Sequence, residues 1–355
     1  MSKFISARLK ELEAYVPGEQ PQTMRYIKLN TNESPFEPSP EVKAAVTSGR
    51  AASLQLYPEP DCTELSDALA GRYGVGRENI VLGNGSDEIL NFCFAAYFDR
   101  LSPVIFPDIT YGFYKVFGDL YGSDYTQVPL DSGLRVNPDD YIGANKNIVL
   151  ANPNAPTGIA LGLSDIEKIV SSNPDNIVVI DEAYVDFGGE SCVPLIKKYK
   201  NLIVVMTFSK SRSLAGARVG FAIADSGLAA DLNKIKYSTN PYNINSMSQQ
   251  AAKAALESDE YYSANCNRII DNRNAFCRRL EKLGFDYLPS SANFVFAKKS
   301  GVSGLELYTR LKENGILVRR FDNPRISDWL RITIGTKEQM ETLAGALSGL
   351  TEEMK

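Results

Sequence analysis

Residues 207–222 read TFSKSRSLAGARVGFA and follow an unbroken apolar run, LIVVM, over 202–206. A run without polar alternation suits a β-strand buried on both faces, as in a parallel sheet. That strand delivers Lys210 just past its end, between Ser209 and Ser211, with Arg218 following a Leu-Ala-Gly-Ala turn. Most lysines are solvated on the surface. The apolar strand before this one, and Gly216 and Gly220 after it, argue for a lysine withdrawn from water. Burial disfavours the charged form, so its amine can serve as both nucleophile and base.

The same grammar recurs outward from this stretch. NIVLGNGS (79–86), SPVIFP (102–107), NIVLANPN (147–154) and NIVVIDEAY (176–184) are short apolar runs that end in polar or glycine-rich turns. Helical patterns lie between them, SDEILNFCFAAYF over 86–98 and LSDIEKIVSS over 163–172. Strands alternating with helices predict an α/β layered domain with a mostly parallel central sheet, whose chemistry falls at the carboxyl ends of the strands. Asn154, Asp181 and Lys210 all stand at such ends. From Ser246 the texture changes to long amphipathic helix, then to the short strands NFVFAKK (293–299) and WLRITIG (329–335). The expected organisation is therefore a large domain over 31–245 and a smaller α+β domain over 246–355. Residues 1–30 are expected to form a helix and an arm that packs on the small domain or on a partner subunit.

Composition narrows the chemistry. A net charge of -5 leaves no basic footprint for nucleic acid. The chain has no histidine, which excludes serine-histidine and cysteine-histidine catalysis and histidine-ligated metals. Its five cysteines never stand in CxxC spacing, so free thiols are expected rather than a zinc site or disulfides. The N-terminal MSKFISARLKELEAYV carries charge throughout, which does not suit a secretory signal, and no apolar run approaches the roughly 18 residues of a membrane span. A cytoplasmic protein is expected.

Together these residues supply what pyridoxal 5'-phosphate (PLP) asks of a protein. Lys210 can condense with its aldehyde, and Asp181 can keep the ring nitrogen protonated. Asn154 and Tyr184 can hydrogen-bond the ring oxygen, and Tyr111 in DITYGFY (108–114) can stack on the ring face. Gly85, Ser86 and Asp87 open a helix after a strand, where backbone N–H groups meet anions, and Ser209 with Arg218 can join them on the phosphate. Plainer alternatives exist for each. Asp181 fits a strand-end cap, Asn154 a turn former between prolines, Tyr111 a core aromatic, and Asp87 with Glu88 a complement to the helix dipole. Arg331, on the alternating strand WLRITIG, reads as a bidentate carboxylate clamp or as a strand-edge salt bridge. Of Arg319 and Arg320 in ILVRRF (316–321), one is expected to face the site.

The order KLNTNESPF, YPEP, GNGSDE, DITY, NPNAPTG, DEAY, SKSRSLAGARVG and LRITIGT resembles the fold-type I PLP-dependent aminotransferases from about Tyr15 to Thr336. AYVPGEQ, LNTNESPF and VRRF with LRITIGT point to the histidinol-phosphate branch of that family. The resemblance implies Lys210 as the covalent attachment point of PLP. Asp181, Tyr184 and Asn154 would surround the ring, with Tyr111 stacked on it. Gly85, Ser86, Asp87, Ser209 and Arg218 would hold its phosphate, and Tyr57 would reach that phosphate from the neighbouring subunit of a homodimer. Arg331 would grip the glutamate carboxylate, and Tyr15 with Arg319 would help bind the substrate phosphate. The implied reaction moves an amino group from L-histidinol phosphate to 2-oxoglutarate. A decarboxylase of the threonine-phosphate type, a broad aromatic aminotransferase and a PLP-dependent regulator are the alternatives.

Overall fold

The computed structural model describes residues 4–21, 24–47 and 51–353. Within the arm, the described structure before β1 (Ile27–Lys28) contains a single 3-10 turn at Ala7–Leu9 and not the helix expected there. That turn buries no residue, and a short helix without a packed face does not hold itself together in water. Helices α1 (Pro40–Ala45) and α2 (Thr63–Tyr73) lead into the main sheet.

That sheet is built from β2 (Ile80–Gly83), β3 (Val104–Pro107), β4 (Tyr125–Val128), β5 (Asn147–Ala151), β6 (Val178–Asp181), β7 (Leu202–Thr207) and β8 (Gly220–Ala224). Their order is β2-β8-β7-β6-β5-β3-β4, and β8 alone runs against its neighbours. Helices α3 (Ser86–Tyr97), α4 (Phe113–Tyr121), α5 (Leu163–Ser172) and α6 (Ser226–Thr239) cover the two faces. The period-2 pleat divides each strand between two cores. Leu82, Ile148, Leu150, Ile180 and Val204 enter one core, and Val81, Val149, Val179, Ile203 and Val205 enter the other. Both sets are buried, which is why these strands read as continuous apolar runs. Edge strand β4 is covered least.

Helices α7 (Ser246–Glu257) and α8 (Asp259–Lys282) follow. Beyond them β9 (Asp286–Tyr287), β10 (Phe294–Lys298), α9 (Gly304–Glu313), β11 (Ile316–Leu317), β12 (Arg319–Arg320), β13 (Leu330–Thr333) and α10 (Lys337–Glu353) complete the described residues. An antiparallel sheet runs β12-β13-β10-β9, while β1 returns from the arm to pair in parallel with β11. Ile269, Phe276 and Leu280 of α8 share a core with Val295, Ile332, Leu343 and Leu347. Helix α7 does not join them, because Ala251, Ala252, Ala254 and Ala255 are buried in the core of the main sheet. We propose that the divide between the two units falls at the Ser258 turn, one helix later than the boundary expected at 245–246.

Candidate active site

Strands β5, β6 and β7 finish side by side, with Ala151 paired to Asp181 and Asp181 to Val205. The crevice beyond the carboxyl ends of parallel strands is where α/β sheets gather ligands. Lys210 leaves β7 on a tight turn, and its Nζ donates to the Thr31 carbonyl at 3.3 Å. The amine lies 5.9 Å from the centre of the Tyr184 ring. Burial first, then the field of Arg331, pulls its pKa down to about 8.

Asp181 is buried as the last residue of β6. Its Oδ2 accepts from the Tyr114 hydroxyl at 2.9 Å, and its Oδ1 accepts from the Ala183 N–H at 3.1 Å. Burial pushes this carboxyl up to about 6, with the two hydrogen bonds pulling the other way. The Tyr184 hydroxyl accepts from Asn32 Nδ2 at 2.9 Å, which leaves its own proton for another acceptor. Asn154 has less to spare. Its Nδ2 donates to the Ile109 carbonyl at 3.0 Å and Thr157 Oγ1 at 3.1 Å, and its Oδ1 accepts from Thr110 Oγ1 at 2.7 Å. Two amide hydrogens are already committed, so a new acceptor must displace one of them.

An anion cradle lies beside this cluster. Helix α3 starts at Ser86 behind Gly85, at φ 84°, without a side-chain cap. Its first N–H groups therefore have no acceptor within the helix and face outward with the positive end of the helix dipole. A Cβ on Gly220 would sit 2.2 Å from the Ser86 nitrogen, so only glycine lets β8 approach this turn. A Cβ on Gly85 would sit 2.4 Å from Nη2 of Arg218. That guanidinium donates to Asp87 Oδ2 at 2.9 Å and, more weakly, to Ser209 Oγ at 3.5 Å. Asp87 Oδ1 accepts from the Tyr111 hydroxyl at 2.6 Å. The Asp87 side chain thus ties Tyr111 to Arg218, and only its backbone N–H is left for an anion.

Strands β12 and β13 supply the other end. Their register sets Arg319 directly opposite Arg331, an arrangement of like charges that destabilises a sheet unless an anion joins them. Arg331 Nη2 donates to the Asn30 carbonyl at 3.0 Å, while its Nε is buried without a partner. The ring centres of Phe294 and Phe321 lie 5.4 Å and 5.5 Å from its guanidinium carbon. Arg319 donates to the Pro17 and Val16 carbonyls at 3.1 Å and 3.0 Å, which holds the arm and Tyr15 against the site. Tyr15 stacks on Phe113 at 4.1 Å and meets Tyr111 edge-on at 6.1 Å. Burial raises its phenol pKa against the fields of Arg331 and Arg319. Arg320 turns away, with Nε on the Ser327 carbonyl at 2.8 Å and Nη1 on Asp322 at 2.5 Å. Strand alternation sends neighbouring side chains to opposite faces, which separates the two arginines.

Tyr57 stands apart from this cluster. It is 82% exposed and stacks on Tyr242 at 4.6 Å.

The family model for aminotransferases of class I and II matches residues 25–347. The chain belongs to that family. It is 48% identical over 347 residues to a histidinol-phosphate aminotransferase of Acetobacter pasteurianus, covering 98% of each chain. Among solved structures, the histidinol-phosphate aminotransferase of Sinorhizobium meliloti in complex with pyridoxal-5'-phosphate superposes with a TM-score of 0.89 at 26% identity, with 100% of both chains covered. An L-threonine-O-3-phosphate decarboxylase of Porphyromonas gingivalis shares the fold with a TM-score of 0.80 at 23% identity, over 92% of this chain and 99% of that one. The aminotransferase fold is thus the fold-type I architecture that the motifs implied.

Three site contacts of this aminotransferase escaped the sequence. Tyr114 reaches Asp181, Asn32 reaches Tyr184, and Thr31 offers its carbonyl to Lys210. Tyr114 stands three residues after Tyr111 in DITYGFY, on the first turn of α4, and that aromatic repeat was the signal for it. Asn32 and Thr31 sit in a loop, where no periodicity marks them.

Proposed function

We propose that this aminotransferase moves the amino group of L-histidinol phosphate to 2-oxoglutarate, giving imidazole acetol phosphate and L-glutamate, a step of histidine biosynthesis with PLP as cofactor. The observation that carries it is the 48% identity over 98% of the chain to a histidinol-phosphate aminotransferase. The site suits that chemistry. The uncapped start of α3 beside Arg218 and Ser209 fits a phosphate, and the unpartnered Nε of Arg331 opposite Arg319 fits a second anion.

Gly85, Ser86, Asp87, Ser209 and Arg218 would hold the cofactor phosphate, with Asp181, Tyr184, Asn154 and Tyr111 about its ring. Bound there, PLP supplies an aldehyde that takes up the amino group and a ring that accepts electrons from the substrate Cα. Lys210 Nζ, with a pKa drawn down to about 8, would act as the base that takes the proton from the substrate Cα. Asp181 would supply the negative charge that keeps the ring nitrogen protonated. Arg331 and Arg319 bind phosphate in one half-reaction and carboxylate in the other, since a guanidinium fork fits both. Tyr15 closes the arm side of the same pocket. The exposed Tyr57, beside Leu54 and Leu56, which are also exposed, favours a homodimer in which Tyr57 reaches the neighbouring subunit's cofactor phosphate.

Substrate choice is tested by kcat/KM for histidinol phosphate, histidinol, phenylalanine and threonine phosphate, with glutamate formation and carbon dioxide release both measured. Histidinol phosphate should lead, with glutamate as product. A lead for phenylalanine favours the aromatic aminotransferase, and carbon dioxide from threonine phosphate favours the decarboxylase.

A further inference from the structure

The Tyr114 side chain is wholly buried on α4, with its ring 5.9 Å from that of Phe106 and 5.7 Å from that of Tyr111. A buried phenol needs an acceptor. Its acceptor here is the carboxylate of Asp181, at 2.9 Å. The Ala183 N–H donates to the other oxygen at 3.1 Å, so each oxygen of that carboxylate has its own donor. Ionisation of Asp181 has little other support. Burial opposes it most, and the charge of Asp87 on α3 opposes it further. Lys210 after β7 favours it, while Cys93 on α3 and Tyr184 after β6 face it as neutral groups whose own pKa values are raised.

We propose that Tyr114 is a positioning residue of the reaction, whose hydroxyl holds Asp181 ionised and aimed at the ring nitrogen of the cofactor. The proposal rests on the assignment of Asp181 made above. The phenol keeps its proton across the working range, since burial and the neighbouring Asp181 raise its pKa well above the ordinary value. It is thus a permanent donor. Losing it removes a hydrogen bond to a charge, an effect of about tenfold or more on the ionisation equilibrium. A neutral Asp181 cannot keep the ring nitrogen protonated.

The test is Tyr114→Phe, which removes one oxygen and opens almost no space. In the PLP-free protein, carbon-13 NMR of labelled aspartate carboxyls, assigned with Asp181→Asn, reads the Asp181 midpoint directly. It should rise by about one pH unit or more. In the loaded enzyme the PLP dissociation constant should rise about tenfold, and the acid limb of kcat should move up in pH while KM changes little. An unmoved midpoint, with PLP affinity lost only in Asp181→Asn, overturns the role of Tyr114 and leaves that of Asp181 intact. A midpoint that moves while PLP affinity holds in both variants removes the Asp181 assignment and the proposal with it. Wild type gives a check that needs no folded variant. The Tyr114 hydroxyl proton should be downfield and slow to exchange, and its absence overturns the proposal.

Discussion

Replacing Arg331 with methionine separates a binding arginine from a structural one. In the structure the side chain gains one hydrogen bond, to the Asn30 carbonyl at 3.0 Å, and two ring contacts near 5.5 Å. These are worth about 1.5 kcal/mol and about 0.5–1 kcal/mol each. Against them stand the buried Nε without a partner, costing about 1–3 kcal/mol, and the like charge of Arg319 across the strand pair. The two sides nearly cancel. Arg331→Met should therefore leave folding stability within about 1.5 kcal/mol of wild type, while kcat/KM falls about 100-fold or more for both histidinol phosphate and glutamate, as expected for loss of about 3 kcal/mol of charge-assisted binding. The variant should also raise the pKa of Lys210, because Arg331 is the charge that depresses it most after burial. Urea unfolding and the kinetics of each half-reaction measure the two effects separately. A loss of several kcal/mol in stability with activity reduced only a few-fold would refute the reasoning and make Arg331 a strand-edge structural residue.

Three further outcomes are expected. In the PLP-free protein the pKa of Lys210 is about 8 against 10.5 when unfolded, so its buried charge destabilises the fold in full below pH 8 and ceases to do so by about pH 10.5; Lys210→Met should stabilise by about 3 kcal/mol at pH 7, measured by denaturant unfolding, and the gain should vanish near pH 10.5. Gly220→Ala would drive a methyl group to within 2.2 Å of the Ser86 nitrogen, so it should destabilise by about 2 kcal/mol and weaken PLP retention on dialysis, and an unchanged PLP affinity would remove the α3 start from the phosphate site. Mixing Lys210→Ala with Tyr57→Ala subunits should produce hybrid dimers with one intact site and activity well above either parent, whereas hybrids no better than the parents would mean that Tyr57 serves its own subunit.

The main sheet was legible because a strand buried on both faces leaves a continuous apolar run, and each run pointed to the polar residue at its end. Lys210 and Asp181 were singled out that way, and both lie beyond the carboxyl ends of adjacent strands. The use made of some residues was not legible. Asp87 stands at a helix start, where its carboxylate was expected at most to complement the dipole, yet it receives Tyr111 and Arg218 from two other elements. Arg319 and Arg320 are adjacent in ILVRRF, and only the pairing of β12 with β13 decides which faces Arg331. Helix α7 is amphipathic and rich in alanine, a pattern that says one face is buried without saying in which core. Its assignment to the main sheet comes from packing alone. In the N-terminal arm the charged, amphipathic spacing suggested a helix, whereas the described residues hold a 3-10 turn at Ala7–Leu9 that buries no side chain.

The measurement that bears most directly on the site is reduction of the PLP-loaded enzyme with borohydride, followed by peptide mass mapping. The expected result is a single stable pyridoxyl adduct on Lys210, at the end of β7 and 5.9 Å from the Tyr184 ring centre, with activity lost in proportion to its formation. An adduct on another lysine, or activity that survives full modification of Lys210, would contradict the placement of the reaction in this crevice.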